Sequence, residues 1–111
     1  MIACGIRKND HASLEVCVPT ALPQHMRAKI REVKSFHTDP EHRGKGFGKD
    51  LLTRLIISAD LSDTWLMLHV EPDDEADKPR LANLYASFGF KPFQAEPLLM
   101  IRPSVHAKLP V

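Results

Sequence analysis

Apolar residues fall in short blocks along this chain, separated by polar or proline-containing connections. Ile2 to Ile6 and Leu14 to Val18 flank the polar Lys8-Asn9-Asp10, a pattern that predicts two short strands joined as a hairpin. Pro19 to His25, with two prolines, reads as a connection. From Gly48 to Asp60, Leu51, Leu52, Leu55 and Ile56 have the spacing of an amphipathic helix. Trp65-Leu66-Met67-Leu68-His69-Val70 is the continuous apolar run of a buried strand. A second helix is expected from Pro79, a residue suited to a first helical position, to Gly89, a natural residue just past a helix end. The chain then returns through Pro92 to Pro97 to a last strand at Leu98 to Arg102. Between the apolar strand and the second helix, Pro72-Asp73-Asp74-Glu75-Ala76-Asp77 packs four acids into six residues. They read as solvated complements of the helix's positive end, with recognition of a basic acceptor as the alternative. No repeats or low-complexity segments interrupt this order.

The run Arg43-Gly44-Lys45-Gly46-Phe47-Gly48 stands immediately before the first helix and reads as a cradle for a diphosphate. Such a group needs several backbone N–H groups converging on it, and a glycine-rich turn at a helix N-terminus supplies them. Side chains at Gly44, Gly46 and Gly48 are expected to crowd such a ligand. Spacing separates this loop from two better-known ones. A P-loop would need a wider gap between glycines and a hydroxyl after its lysine, whereas Lys49 is followed by Asp50. A dinucleotide fingerprint would need a glycine where Lys49 stands.

The remaining Arg-x-x-Gly-x-Gly pattern, with Asp39-Pro40-Glu41-His42 before it, resembles the coenzyme A loop of the GNAT N-acetyltransferase superfamily. About forty residues later, Leu84-Tyr85-Ala86-Ser87-Phe88-Gly89-Phe90 resembles the family's second signature, a helix carrying a tyrosine and ending at Gly-Phe. Glu96-Pro97-Leu98-Leu99-Met100-Ile101-Arg102 is similar to its last strand, so the likeness runs from about Ile30 to Pro103. The resemblance implies a single α/β domain. Its sheet is mixed and mostly antiparallel, flanked by helices, with a central parallel β-α-β unit that binds coenzyme A. Residues 1–28 form a reduced N-terminal hairpin region and residues 29–103 the core. It also assigns a strand to Lys29 to Thr38, which is unusually polar for a central one.

Composition narrows the classes. The chain has 111 residues, 43% of them hydrophobic and 26% charged, with a net charge of +1, enough for one modest core. Basic residues are scattered rather than clustered, so no nucleic-acid partner is expected. Cys4 and Cys17 lack the spacing of a metal knuckle, and a reduced cytoplasmic pair is the expectation. No apolar stretch approaches the length of a membrane span, so no membrane partner is expected.

The chemistry that the resemblance implies is transfer of an acetyl group from acetyl-CoA to a primary amine of a small molecule or a protein, with no metal required. In the family, two neighbouring parallel strands splay and the pantetheine arm pairs with the exposed backbone, which here would be Phe36, His37 and Thr38. The diphosphate would lie on backbone N–H groups from Gly44 through Lys45, Gly46, Phe47 and Gly48 to Lys49, with Arg43 adding charge. Lys45 reads equally as a phosphate contact or as plain solvent-facing charge. An amine is protonated in water, so a base or an ordered water path is needed. Glu32, six residues before Thr38, matches the position of the base in members that acetylate histone lysines, while solvent exposure is its bland reading. Glu71, His69 and His37 are the alternatives. Tyr85 matches the family's tyrosine, a general acid for the leaving thiolate, against the plainer reading of an aromatic packing residue.

The departure from the family lies before residue 30, where members have an opening strand and two helices that wall the acceptor site. Here that side is expected to be open, completed by a second subunit in a homodimer, or adapted to a large partner. Loss of the wall motivates a rival reading, a module that binds coenzyme A or a protein without turnover.

Overall fold

Alternation along the second strand explains how the sheet acquires its buried face. In β2, Ala12–Cys17, the residues Ala12, Leu14 and Val16 are buried while Glu15 between them is exposed. The structure, a computed structural model, describes residues 2–72, 75–95 and 98–105. Asp73, Asp74, Glu96 and Pro97, on which parts of the acidic-loop and last-strand expectations fall, lie outside them.

Six strands form one sheet in the order β1-β2-β3-β4-β6-β5. Besides β2 these are β1, Gly5–Lys8; β3, Ile30–Thr38; β4, Trp65–His69; β5, Lys91–Gln94; and β6, Leu99–Arg102. Every pairing is antiparallel except β3 with β4. The polar β3 is therefore a central strand, and the parallel strand, helix, strand unit is present.

One face of the sheet carries α2, Phe47–Leu61, and α3, Lys78–Ser87. Leu51, Leu52, Leu55, Ile56 and Ala59 of α2 pack there with Leu14, Val16, Val33, Leu66, Leu68 and Phe90. On the opposite face, Ile30, Met67, Leu99 and Ile101 form a smaller cluster covered by Leu22, Met26 and Trp65. β4 is apolar on both faces for this reason: Leu66 and Leu68 serve one cluster and Met67 the other. The cover on the second face is slight. Residues 18–29 contribute a single helical turn, α1, Gln24–Arg27, where the sequence predicted only a connection. It forms because the Pro23 carbonyl accepts from the N–H groups of both Met26 and Arg27.

Two further boundaries differ from the sequence pattern. β1 begins at Gly5 rather than Ile2, and the carbonyls of Ile2 and Ala3 accept from the guanidinium groups of Arg31 and Arg7 instead of joining the ladder. At the other end of β1 the Asn9 side-chain oxygen accepts from the N–H groups of His11 and Ala12, which sets Lys8 opposite Ser13. The segment Lys91–Gln94 is a strand despite Pro92, since β5 is an edge strand and can lack an N–H without breaking a ladder on both sides. Among the described residues no helix is long and apolar enough to cross a membrane. Cys4 and Cys17 are both free thiols.

The far end of the sheet is fixed to both helices through Arg102. Its guanidinium forks onto Asp60 of α2 at 2.8 and 3.0 Å, and its Nε donates to the Phe88 carbonyl at the end of α3 at 2.7 Å. Replacing Asp60 by alanine leaves this largely buried cation short of its anion, so urea unfolding of Asp60→Ala is expected to show a loss of about 3 kcal/mol.

Candidate active site

The central parallel ladder is short, and the site begins where it ends. β3 and β4 pair from Ile30–Trp65 to Val33–Leu68 and then part. β3 stays with β2 as far as Ala12–Thr38, while β4 stays with β6 through His69–Leu99 and the Val70 N–H bond to the Leu98 carbonyl. A bulge in β3 accompanies the divergence: Glu15 faces Lys34 but Ser13 faces His37, so β3 carries one extra residue. Ser35 absorbs it with φ of 52°, a left-handed conformation uncommon for a residue with a side chain. Beyond Val33 the edge of β3 that would face β4 has no strand partner among the described residues. The opening is a cleft of about 420 Å³, lined among others by Glu32, Ser35, Phe36, His69, Glu71 and Tyr85.

Strand alternation and the two apolar clusters place these groups on different sides. Glu32 lies opposite Met67 in the ladder, and His69 follows two residues later, so both belong to the thinly covered face. Glu32 is buried, and its Oε2 is 3.5 Å from His69 Nδ1. Glu71 lies at the same cleft, so two of the alternative bases are here. His37 is not; it lines a separate shallow depression beside Asn9, His11 and Asp39.

Tyr85 enters from the helical face. Its position is built by the end of α3: the Gly89 N–H bonds the Ala86 carbonyl and the Phe90 N–H bonds the Tyr85 carbonyl, with Gly89 at φ of 94°. This is a Schellman cap, and its accompanying apolar contact is Phe90 against the Tyr85 ring at 5.9 Å between centroids. Phe36 lies on the other side at 6.4 Å. Burial raises the Tyr85 hydroxyl above its ordinary value of 10.0, because the phenolate would be poorly solvated there. Cys17 is also raised, first by burial and then by the charge of Glu32, and its Sγ is 3.7 Å from the Glu32 carbonyl. It is a poor thiolate and does not line the cleft.

The glycine run continues from the free end of β3 into α2, and its three glycines play two parts. Gly44 and Gly46 have φ of 79° and 90°, and a Cβ at either would meet nothing within 4 Å. They give the loop its left-handed turns and leave open space above it. Gly48 lies inside the helix, where a Cβ would fall 2.8 Å from Thr38 Oγ1 and 3.3 Å from Phe36 Cζ. It is required for close packing of α2 on β3, a constraint that comes in addition to the room for a ligand expected from sequence. The helix starts after Gly46 with no side-chain cap, so the N–H groups of Phe47, Gly48 and Lys49 belong to its unpaired first turn. Lys45 and Lys49 are exposed, and Arg43 donates from Nε to the Thr38 carbonyl at 3.3 Å. The Phe47 ring packs edge-on against His11 and His42, so only its backbone faces the turn. Its carbonyl accepts from Asn9 Nδ2 at 2.9 Å. Sequence reading missed the parts of Asn9 and Ser35, since neither carries a local signal for a partner or bend set by another strand.

A family model described as "Acetyltransferase (GNAT) domain" matches residues 4–92. The chain belongs to the GNAT acetyltransferase domain family. No curated protein matches it significantly. Among solved structures, yncA of Salmonella typhimurium with its cofactor acetyl-CoA is similar with a TM-score of 0.69 and 18% identity, over 91% of this chain and 62% of that one. The ribosomal-protein-S18-alanine N-acetyltransferase of Escherichia coli gives 0.64 and 18% over 95% and 70%. The anti-CRISPR protein AcrVA5 gives 0.68 and 13% over 90% of this chain and 98% of its own. The chain spans 63% and 56% of the length of two further GNAT structures. These likenesses establish the GNAT fold.

The two kinds of glycine should cost stability in mutants for different reasons. Gly48→Ala is expected to lower stability by about 1–3 kcal/mol in urea unfolding, as overpacking does. Gly44→Ala, with open space around it, should cost only the backbone strain of about 1–2 kcal/mol.

Proposed function

We propose that this GNAT domain is an N-acetyltransferase that uses acetyl-CoA to acetylate a primary amine by direct attack. The observation that carries the reading is the parting of β3 from β4 with Tyr85 in the opening, beside a glycine turn that ends on an uncapped helix. The residues fit the cosubstrate on both counts. The edge of Lys34 to Thr38, which has no strand partner among the described residues although the Thr38 carbonyl accepts from Arg43, offers backbone groups to an extended arm, as an added strand would use them. The loop from Arg43 to Lys49 offers N–H groups, open space over Gly44 and Gly46, and cationic side chains to a diphosphate. Acetyl-CoA supplies an activated acetyl thioester when bound.

The chain's own groups then divide the proton work. Glu32 and Glu71 outnumber Lys34 among the acidic and basic residues lining the cleft, which favours a cationic amine. Glu32, with His69 at 3.5 Å, is placed to take the proton that the amine must lose, directly or through water. Tyr85 is held protonated by burial and can donate to the departing thiolate. Cys17, with its thiol pushed up and away from the cleft, gives no support to an acyl-cysteine route. The thin cover by α1 on the Glu32 face suits an acceptor that is large or presented on a protein. Residues on both faces of the opening favour turnover over a module that only binds.

Two outcomes test this on a panel of amines and peptides, with thiol release as readout. Tyr85→Phe should keep acetyl-CoA affinity within about twofold while turnover falls by roughly ten- to several-hundred-fold. Full activity in that variant would reduce Tyr85 to packing. Glu32→Gln should flatten the rise of activity with pH, and an unchanged profile would assign the proton to another route. Because burial raises Tyr85 above 10.0, its contribution to stability is complete below pH 10 and lost as pH climbs through the raised value. Thermal melts of the parent chain should therefore fall more steeply above pH 10 than those of Tyr85→Phe.

A further inference from the structure

Outside the cleft, His11, Asp39 and His42 bring three potential ligand atoms within 4.8 Å of one another. We propose that they bind one divalent transition-metal ion, Zn²⁺ by ligand type, and that the ion ties the β1–β2 turn to the loop entering the glycine run. The backbone already holds the three together. The Asp39 N–H bonds the His11 carbonyl at 2.8 Å, and the His42 N–H bonds the Asp39 carbonyl at 2.9 Å. Asn9 fixes the turn that carries His11.

Two features point beyond ordinary packing. His42 Nδ1 is buried and has no hydrogen-bond partner, an uncommon condition for a nitrogen that bonds strongly to water, to carbonyls or to metals. The His11 and His42 rings lie face to face at 3.5 Å, with His11 Nδ1 at 3.6 Å from Asp39 Oδ2. Two imidazoles and a carboxylate group thus share one small volume, roofed on one side by the Phe47 ring. Two nitrogens and an oxygen suit Zn²⁺ better than Ca²⁺ or Mg²⁺, which take oxygen, or Cu⁺, which takes sulfur. Three protein ligands leave a fourth tetrahedral position for water.

A zinc ion holds its ligands about 3.4 Å apart, the tetrahedral edge at a metal–nitrogen distance of about 2.0–2.1 Å. The donors must therefore draw in, and the stack must open so that both lone pairs point at one centre. This requires rotation of the His11 and His42 side chains, on backbones that are each hydrogen-bonded to that of Asp39. None of the three residues lines the cleft, so the ion is structural, and the site stands independently of the acetyl-CoA reading. His42 directly precedes Arg43 and Gly44, so an ion here fixes the start of the turn that the glycines continue.

The test uses the full chain without an affinity tag, stripped with a chelator and titrated with Co²⁺ and with Zn²⁺. One equivalent should bind saturably, with Co²⁺ showing the visible absorption of a low-symmetry, four-coordinate centre, and Zn²⁺ should raise the melting temperature. His42→Ala and His11→Gln should each weaken binding at least about tenfold and abolish the thermal shift. His25→Ala, on the exposed α1 turn, should change neither. Circular dichroism confirms that each variant is folded, and His11→Gln keeps the test open if His42→Ala is not. Absence of saturable binding to the folded parent chain, or equal binding by it and both site variants, would overturn the assignment.

Discussion

Four parallel residue pairs, Ile30–Trp65 to Val33–Leu68, join the two halves of this sheet, and the rest of the molecule is arranged around their brevity. A longer ladder would have saturated the edge of β3 and left no cleft. Each strand instead keeps its antiparallel neighbour, β3 with β2 and β4 with β6, and the extra residue at Ser35 turns β3 away. The apolar face of α2 lies under both halves and supplies the burial that the missing hydrogen bonds do not. The opening is a consequence of competing pairings rather than of flexible loops.

Around that opening the chain uses a few close-packed contacts for positioning. Gly48 lets α2 approach Thr38 and Phe36, which brings the helix N-terminus beside the free end of β3. The Schellman cap at Gly89 and Phe90 sets Tyr85 from the opposite direction, and Arg102 binds that cap to α2 through Asp60. Glu32 comes from the other face of the sheet. Two faces therefore contribute to one cleft, an arrangement that suits the acid and base roles proposed for Tyr85 and Glu32.

Much of this was legible in the sequence, for identifiable reasons. The helix from Phe47 and the apolar strand from Trp65 carry their period in their own residues, and the glycine run and Tyr85 to Phe90 carry family patterns. β3 could not be read from periodicity, because its outer half is polar where it leaves β4. β5 was obscured by Pro92, whose tolerance depends on an edge position that only the assembled sheet defines. α1 is too short to carry a period. The packing constraint on Gly48 was not legible because it comes from Thr38 and Phe36, ten and twelve residues earlier in sequence but adjacent in space. The cluster of His11, Asp39 and His42 was invisible for the same reason, since its members come from two separate turns.

In the proposed function, the free edge of β3 and the turn before α2 together receive acetyl-CoA. Amide hydrogen exchange with and without the cosubstrate reads both segments in one measurement. Acetyl-CoA is expected to slow exchange at amides within residues 34–38 and 44–49, and to leave the far edge at Lys91–Gln94 unchanged. Saturating acetyl-CoA with no added protection in either segment, or protection confined to other parts of the sheet, would contradict it.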